Sequence, residues 1–243
     1  MILVPEDGTL RVVTQHDHAR LTGEMLALWR ADGLPEHPRR AELLFAAREH
    51  DNGWREADSA PRADPESGRP LGFTEVPREV RIELWLRGAR RHAERRPWAA
   101  LLITQHALAL HRDRRGEESW DEELFAPLDE LYEELLEQTG GDPEEVAADY
   151  RFLDLADALS LAACAGWTDP GERAGHRWRF RPGGREVAGE LALAPFPLAG
   201  ATTFRVPCRT IPDRRYQGDA DLGGELATAH WTEAKYRLFP AAP

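Results

Sequence analysis

Two predicted helices of this chain are apolar on nearly every side, and both carry ionisable residues within the apolar run. One spans residues 98–111 and contains His106, and the other spans residues 143–165 and contains Asp157. A helix that is apolar all round belongs at the centre of a fold. A buried carboxylate without a partner is strongly unfavourable. The two runs therefore predict a helical core with a polar group inside it.

Four further helices are predicted around these two, from apolar periodicity and from end signals such as the N-cap Thr14. Residues 52–76, between the helices predicted at residues 38–49 and 77–95, are rich in Pro and Gly and predict a long loop. Trp54 and Phe73 would anchor this loop, so we expect an ordered lid over the site. The four helices are expected at residues 14–29, 38–49, 77–95 and 121–138.

The composition changes after Gly166. A Pro-Gly-Gly turn at residues 182–184 predicts a β-hairpin, and residues 203–206 and 236–239 read as further strands. Residues 2–13 read as a short hairpin or an extended lead-in. The expected fold class is mainly α: a helical bundle at residues 1–168, with a small β-rich C-terminal region at residues 169–243 packed on it.

Net charge, hydropathy and cysteine spacing argue against several classes of function. A net charge of −12 and a pI near 5.3 argue against a nucleic-acid surface. Neither a signal peptide nor a membrane span is evident. Cys164 and Cys208 form no C-x-x-C pair, which argues against thiolate metal binding. We expect a cytoplasmic protein with a small-molecule substrate, and a homodimer is left open.

Five ionisable residues lie on or at the ends of apolar helical faces. His18 faces the same way as the apolar residues of the first helix, and His50-Asp51 closes the second. His106 and Asp157 complete the set. One such residue is commonly a hydrogen-bonded core residue, but five on four helices predict a metal site. Imidazole and carboxylate ligands suit Fe, Mn, Ni, Co or Zn. A structural polar network is the alternative.

The order His … His-Asp … Asp on successive helices resembles the HD-domain superfamily of metal-dependent phosphohydrolases. Three local motifs also resemble a bacterial domain-of-unknown-function family that has an HD-type helical core and a β-rich tail. These resemblances imply an HD-domain-like helical bundle. The motifs are Gln15-x-x-His18-Ala19-x-Leu21, His50-Asp51-x-Gly53-Trp54 and Leu155-Ala156-Asp157-x-Leu159-Ser160-Leu161.

The superfamily resemblance implies that His18, His50, Asp51 and Asp157 ligate one divalent metal ion. His106 lies outside this set of four. It resembles one of the extra histidines of two-metal members, but the second is not evident, because the sequence around His92 and His111 is more polar. The number of metal ions, one or two, is therefore left open. His106 is a second-metal ligand, a base or a phosphate contact.

The resemblance also implies hydrolysis of a small phosphorylated or nucleotide-like substrate. The acid or base would be Asp51, or Glu49, Asp58 or Asp64 near it. Two other functions stay open: an HD-type di-iron oxygenase, and a binding protein with a polar core. The predicted substrate-binding residues are Trp54, Asp64, Arg78, Arg81 and Arg87.

Overall fold

The computed structural model describes residues 1–184 and 186–241. The protein is 48% helix and 21% strand, and a curled, seven-stranded mixed sheet forms a half-barrel over a helical region. The expected fold class, a mainly α bundle with a small β-rich tail, is therefore wrong. The helices are present, but the sheet is a major layer of the fold.

The sheet takes strands from both ends of the chain. Its order is β1-β2-β6-β7-β5-β4-β3. The pair β5 and β7 is parallel, and every other pair is antiparallel. The strands are β1 (Ile2–Glu6), β2 (Thr9–Val13), β3 (Gly171–Arg173), β4 (His176–Pro182), β5 (Gly189–Ala194), β6 (Thr202–Pro212) and β7 (Trp231–Pro240).

The helices follow the sequence-based expectations more closely, with shifted ends. Thr14 caps the first, since its hydroxyl accepts a hydrogen bond from the Asp17 amide at 3.0 Å. The predicted loop 52–76 contains a 3-10 turn at Asn52–Trp54 and a short helix. The helices are α1 (Gln15–Ala27), α2 (Arg40–Glu49), α3 (Arg55–Ser59), α4 (Arg78–Arg90), α5 (Pro97–Leu110), α6 (Glu118–Trp120), α7 (Ala126–Thr139), α8 (Pro143–Ala165) and α9 (Asp219–Thr228).

Long-range pairing explains why the sheet is larger than expected. The N-terminal hairpin is not a lead-in, because Leu10 in β2 pairs with Ile211 in β6. Strand β6 itself has 11 residues, and its buried positions alternate with more exposed ones. Such alternation is typical of a strand with one covered face. The partner strands lie about 200 residues apart, so no local pattern indicates that they pair.

The inner face of the sheet and the helices share one apolar core. Phe204 and Val206 from β6 lie in the same cluster as Leu101 from α5 and Leu155 from α8. Helices α1, α2, α5 and α8 pack against one another beneath the sheet. Within the described ranges, no helix combines the length and apolarity needed to cross a bilayer. The two helices predicted to be central, α5 and α8, both belong to this packed group.

Candidate metal centre

Four predicted ligands come together at the centre of the helical layer. His18 lies on α1, His50 and Asp51 directly follow α2, and Asp157 lies on α8. All four are buried, and the most exposed of them, Asp157, has a relative exposure of 5%. The sequence places these residues far apart, and the packing of three helices brings them together.

The donor atoms of these residues are spaced as ligands of one ion would be. His18 Nε2 lies 3.3 Å from His50 Nε2 and 3.1 Å from Asp51 Oδ2. Asp157 Oδ1 lies 3.3 Å from His18 Nε2 and 3.2 Å from His50 Nε2. Atoms bound at about 2.0–2.1 Å to one tetrahedral ion are roughly 3.3 Å apart. The cluster therefore matches the size of a single coordination shell.

Hydrogen bonds at the outer nitrogens direct the two imidazoles inward. His50 Nδ1 donates to the Ala47 carbonyl at 2.8 Å. His18 Nδ1 lies 2.8 Å from Ser160 Oγ, whose hydroxyl donates to the Asp157 carbonyl. A carbonyl only accepts, so each neutral imidazole carries its proton on Nδ1 and presents the Nε2 lone pair to the cluster. Metal-bound histidines are held in this way.

One carboxylate oxygen in the cluster lacks a hydrogen-bond partner. Asp157 Oδ1 is buried, and its two imidazole neighbours are close but not aligned for hydrogen bonding. A buried carboxylate oxygen without an aligned hydrogen bond costs about 1–3 kcal/mol. A cation between these atoms would remove that cost. The buried His and Asp groups can thus hold a metal ion.

Charge coupling within the cluster shifts the pKa values of its members. Burial would lower the pKa of His50, but the Asp51 and Asp157 carboxylates raise it to about 9. Burial would raise the pKa values of Asp51 and Asp157, but the neighbouring imidazoles hold both below the usual range. Both acids are therefore ionised at neutral pH, as ligation of a cation requires.

Helix α4 fixes the position of His50-Asp51 through the two residues that follow. Asn52 donates to the carbonyls of Glu49 at 2.8 Å and Gly88 at 3.0 Å. Gly53 lies against the backbone of α4, so that a Cβ added there would be 2.1 Å from the Leu84 carbonyl oxygen. The Asn-Gly pair after the doublet therefore joins the end of α2 closely to α4.

His106 reaches the cluster from α5 but stands apart from the other four residues. Its Nε2 lies 3.9 Å from Asp157 Oδ2, and its Nδ1 lies 3.1 Å from the Tyr150 hydroxyl. That hydroxyl can donate or accept, so the tautomer of His106 is not fixed. Burial lowers the pKa of His106 to about 4, which leaves the ring neutral at neutral pH.

A cavity of about 170 Å³ opens onto the cluster. Asp51, His106 and Asp157 line it, and the lining is mainly apolar. Trp54 and Phe73, the two residues predicted to anchor the loop over the site, both line it. Small molecules thus have a route to the donor atoms, since the cavity is partly open to solvent.

The structure does not bring the other predicted acids into the cluster. Glu49 forms an ion pair with Arg55 at 2.7 Å. Asp58 is buried and accepts a hydrogen bond from the Gln15 amide at 2.7 Å. Asp64 caps its own turn by accepting from the Ser67 amide and hydroxyl. Of the predicted acids and bases, Asp51 and His106 face the cavity.

The three predicted arginines have different surroundings. Arg78 pairs with Glu123 and donates to a backbone carbonyl. Arg87 binds Glu83 and the Gly53 carbonyl. Arg81 lines the cavity, and within residues 1–184 and 186–241 its side chain has no hydrogen bond or ion pair. Of the three, Arg81 is the one that lines the cavity.

Several residues at the site had no role assigned from the sequence. Ser160 and Tyr150 hold the outer nitrogens of two histidines. His111, which the sequence places in polar surroundings, is buried with Trp85 and Trp120 on either side. Ser160 follows Asp157 by three residues and therefore lies on the same helical face. This spacing could have indicated that Ser160 lies near the cluster.

A comparison with protein-family models agrees with the resemblance of the local motifs to a family of unknown function. Residues 1–213 match the family described as "Protein of unknown function (DUF3891)". Neither the curated proteins nor the solved structures give a match. Because the matched segment is most of the 243 residues and contains every residue of the cluster, the chain belongs to the DUF3891 family.

Proposed function

We propose that this protein is a metal-dependent hydrolase of the HD type that acts on a small phosphorylated substrate. His18, His50, Asp51 and Asp157 would hold one divalent ion, from the group Fe, Mn, Ni, Co and Zn. The observation that carries the proposal is the spacing of 3.1–3.5 Å from the Nε2 atoms of His18 and His50 to each other and to the Asp51 and Asp157 carboxylates. These atoms form a buried cluster that faces a cavity.

A divalent ion bound here would supply an activated water and polarise a phosphoryl oxygen. The chain's own groups have distinct tasks. Ser160 and the Ala47 carbonyl keep the Nε2 atoms of His18 and His50 directed inward. His106 is neutral and lines the cavity, which supports a role for its ring in proton exchange with a substrate oxygen.

The arrangement of donors favours one ion over two. Two triads have the spacing of a metal site, His18-His50-Asp157 and His50-Asp51-His106. Both include His50, and the single lone pair on its Nε2 can ligate one ion only. A di-iron oxygenase requires two ions, so this sharing supports the hydrolase.

A non-catalytic polar core is the remaining alternative. A structural network stabilises a fold when each of its buried polar atoms has a partner. Asp157 Oδ1 has no aligned hydrogen bond within the described part of the chain, and its nearest polar neighbours are the His18 and His50 Nε2 atoms at 3.3 and 3.2 Å. The cluster also opens onto a cavity, whereas a purely structural network would be enclosed. Both features favour a ligand-binding role.

The proposal is tested by two isosteric variants of buried aspartates. Asp51→Asn changes a proposed ligand, whereas Asp149→Asn changes an equally buried aspartate that pairs with His37 at 3.0 Å, outside the cluster. The proteins are purified with added Mn²⁺, and metal per chain is measured by mass spectrometry. Phosphate release from p-nitrophenyl phosphate and nucleoside monophosphates is measured with and without a chelator.

We expect about one metal ion per wild-type chain, retained by Asp149→Asn and lost by Asp51→Asn, and phosphate release that follows the metal content. A wild-type protein that binds no ion from metal-supplemented medium would overturn the metal site. Phosphate release that persists after complete chelation would overturn the mechanism. Two tightly bound irons per chain would instead support the oxygenase.

A further inference from the structure

The cavity above the cluster is small. Its volume is about 170 Å³, whereas pockets that enclose drug-sized ligands measure roughly 300–1,000 Å³. A cavity of about 150 Å³ is enough for one benzene molecule. The enclosed part of a substrate therefore has the size of a single ring, which is smaller than a nucleoside.

The walls of the cavity suit an apolar group. Trp54, Phe73 and Trp85 line it together with Leu110 and Leu161. Trp54 and Trp85 are themselves almost fully buried, so they form fixed walls. Aromatic side chains offer large rigid surfaces for packing against a ring. An apolar body therefore fits this cavity better than a sugar, whose hydroxyl groups would need many polar partners.

The charge of the cavity is set by Arg81. Asp51 and Asp157 are the acids that line it, and their two charges would balance one divalent ion. Arg81 is the one arginine among the described lining residues, which include no lysine, and it gives the loaded site a net positive charge.

The surroundings of Arg81 leave its guanidinium free for a ligand. Arg78 and Arg87, one turn before and almost two turns after it on α4, are both paired with glutamates. Arg81 is partly buried beside the aromatic walls, and within the described residues its side chain forms no hydrogen bond or ion pair. A guanidinium offers five donors in a planar fork that matches phosphate oxygens.

We infer that the substrate is a compact phosphate ester with one ring-sized apolar group, and that Arg81 is the residue that binds its charge. This inference rests on the proposed function, because it takes the metal cluster as the reacting centre. It narrows the substrate from phosphorylated compounds in general to esters smaller than nucleotides.

Binding of phenylphosphonate to the Mn²⁺-loaded protein, measured by calorimetry, tests the inference. Its carbon–phosphorus bond resists hydrolysis, so binding is measured without turnover. Inorganic phosphate carries the charge without the ring, benzyl alcohol carries the ring without the charge, and adenosine monophosphate carries a larger body. We expect phenylphosphonate to bind more tightly than any of the three.

The variant Arg81→Gln separates the role of the charge from that of the metal. Loss of a charge-assisted contact weakens phenylphosphonate binding by about 10- to 100-fold. Binding of benzyl alcohol and the metal content stay unchanged. Arg90→Gln, an exposed arginine at the end of the same helix, is the matched control and binds phenylphosphonate as the wild type does.

Three outcomes overturn the inference and leave the metal site standing. They are an unchanged affinity in Arg81→Gln, an equal loss in Arg90→Gln, and adenosine monophosphate binding as tightly as phenylphosphonate. A protein that takes up no Mn²⁺ is a different result, since it removes the proposed function itself.

Discussion

Gly53→Ala tests whether the close approach of the His50-Asp51 segment to α4 sets the geometry of the cluster. The added Cβ would lie 2.1 Å from the Leu84 carbonyl oxygen and 3.2 Å from the Gly88 amide nitrogen. The first distance is more than ~1 Å inside van der Waals contact. Both neighbours are backbone atoms of a packed helix, so neither can rotate away, and α4 must shift.

Overpacking of this kind costs about 1–3 kcal/mol of unfolding free energy. For a chain of this size, a loss of about 2 kcal/mol lowers Tm by roughly 4–8 °C. The shift also moves Asn52 and, with it, Asp51, so the metal content should fall. Circular dichroism melting curves and metal analysis of the same sample measure both effects.

Gly224→Ala provides a control with the same chemical change and the opposite sign. Gly224 lies in α9, and a Cβ there meets nothing within 4 Å. Alanine in a helix is more favourable than glycine by about 0.8–1 kcal/mol, so this variant should melt slightly higher than the wild type. If Gly53→Ala melted like Gly224→Ala and kept its metal, the close approach would have no part in holding the site.

Two further results are expected. Ser160→Ala removes the partner of His18 Nδ1 and should weaken metal affinity about 10- to 100-fold. Ser59→Ala, at an exposed serine, is the control and should leave the affinity unchanged. Equal affinities of the two variants in a competition titration with a chelator would refute this role of Ser160. In the metal-free cluster the pKa of His50 is raised to about 9, so ligation at pH 7 should release about one proton and metal affinity should rise with pH up to about 9. Calorimetry in buffers of different ionisation enthalpy measures this release, and an affinity that is flat between pH 7 and 9 would contradict it.

The candidate ligands were accessible from the sequence because burial constrains charge. Asp157 lies among apolar helical positions, and an acid there needs a partner, so its presence predicts one. The same reasoning selected His18 and His106. Roles that depend on distance were not accessible: Glu49 and Asp58 are as near in sequence to the doublet as a catalytic acid would be, but their side chains bind Arg55 and the Gln15 amide instead.

The helices were predictable, whereas the extent of the sheet was not. Helix α8 begins and ends where its Pro143 and Gly166 signals indicate. Strand β6 has 11 residues, of which only four were predicted as strand. Its length depends on pairing with β2 and β7, because cross-strand pairs stabilise a strand along its whole length. These partner strands are distant in sequence. Local patterns contain no information about such partners.

The sequence by itself determined the core helices and the chemical identity of the cluster, because hydrophobic periodicity and the cost of burying charge act along the chain. Tertiary structure alone decided which of the candidates meet. It placed the two imidazoles within 3.1–3.5 Å of each other and of the two carboxylates, and it left His106 at the margin. It also directed Arg81 to the cavity, whereas Arg78 and Arg87 pair with glutamates. These outcomes depend on distances between helices, and packing sets those distances.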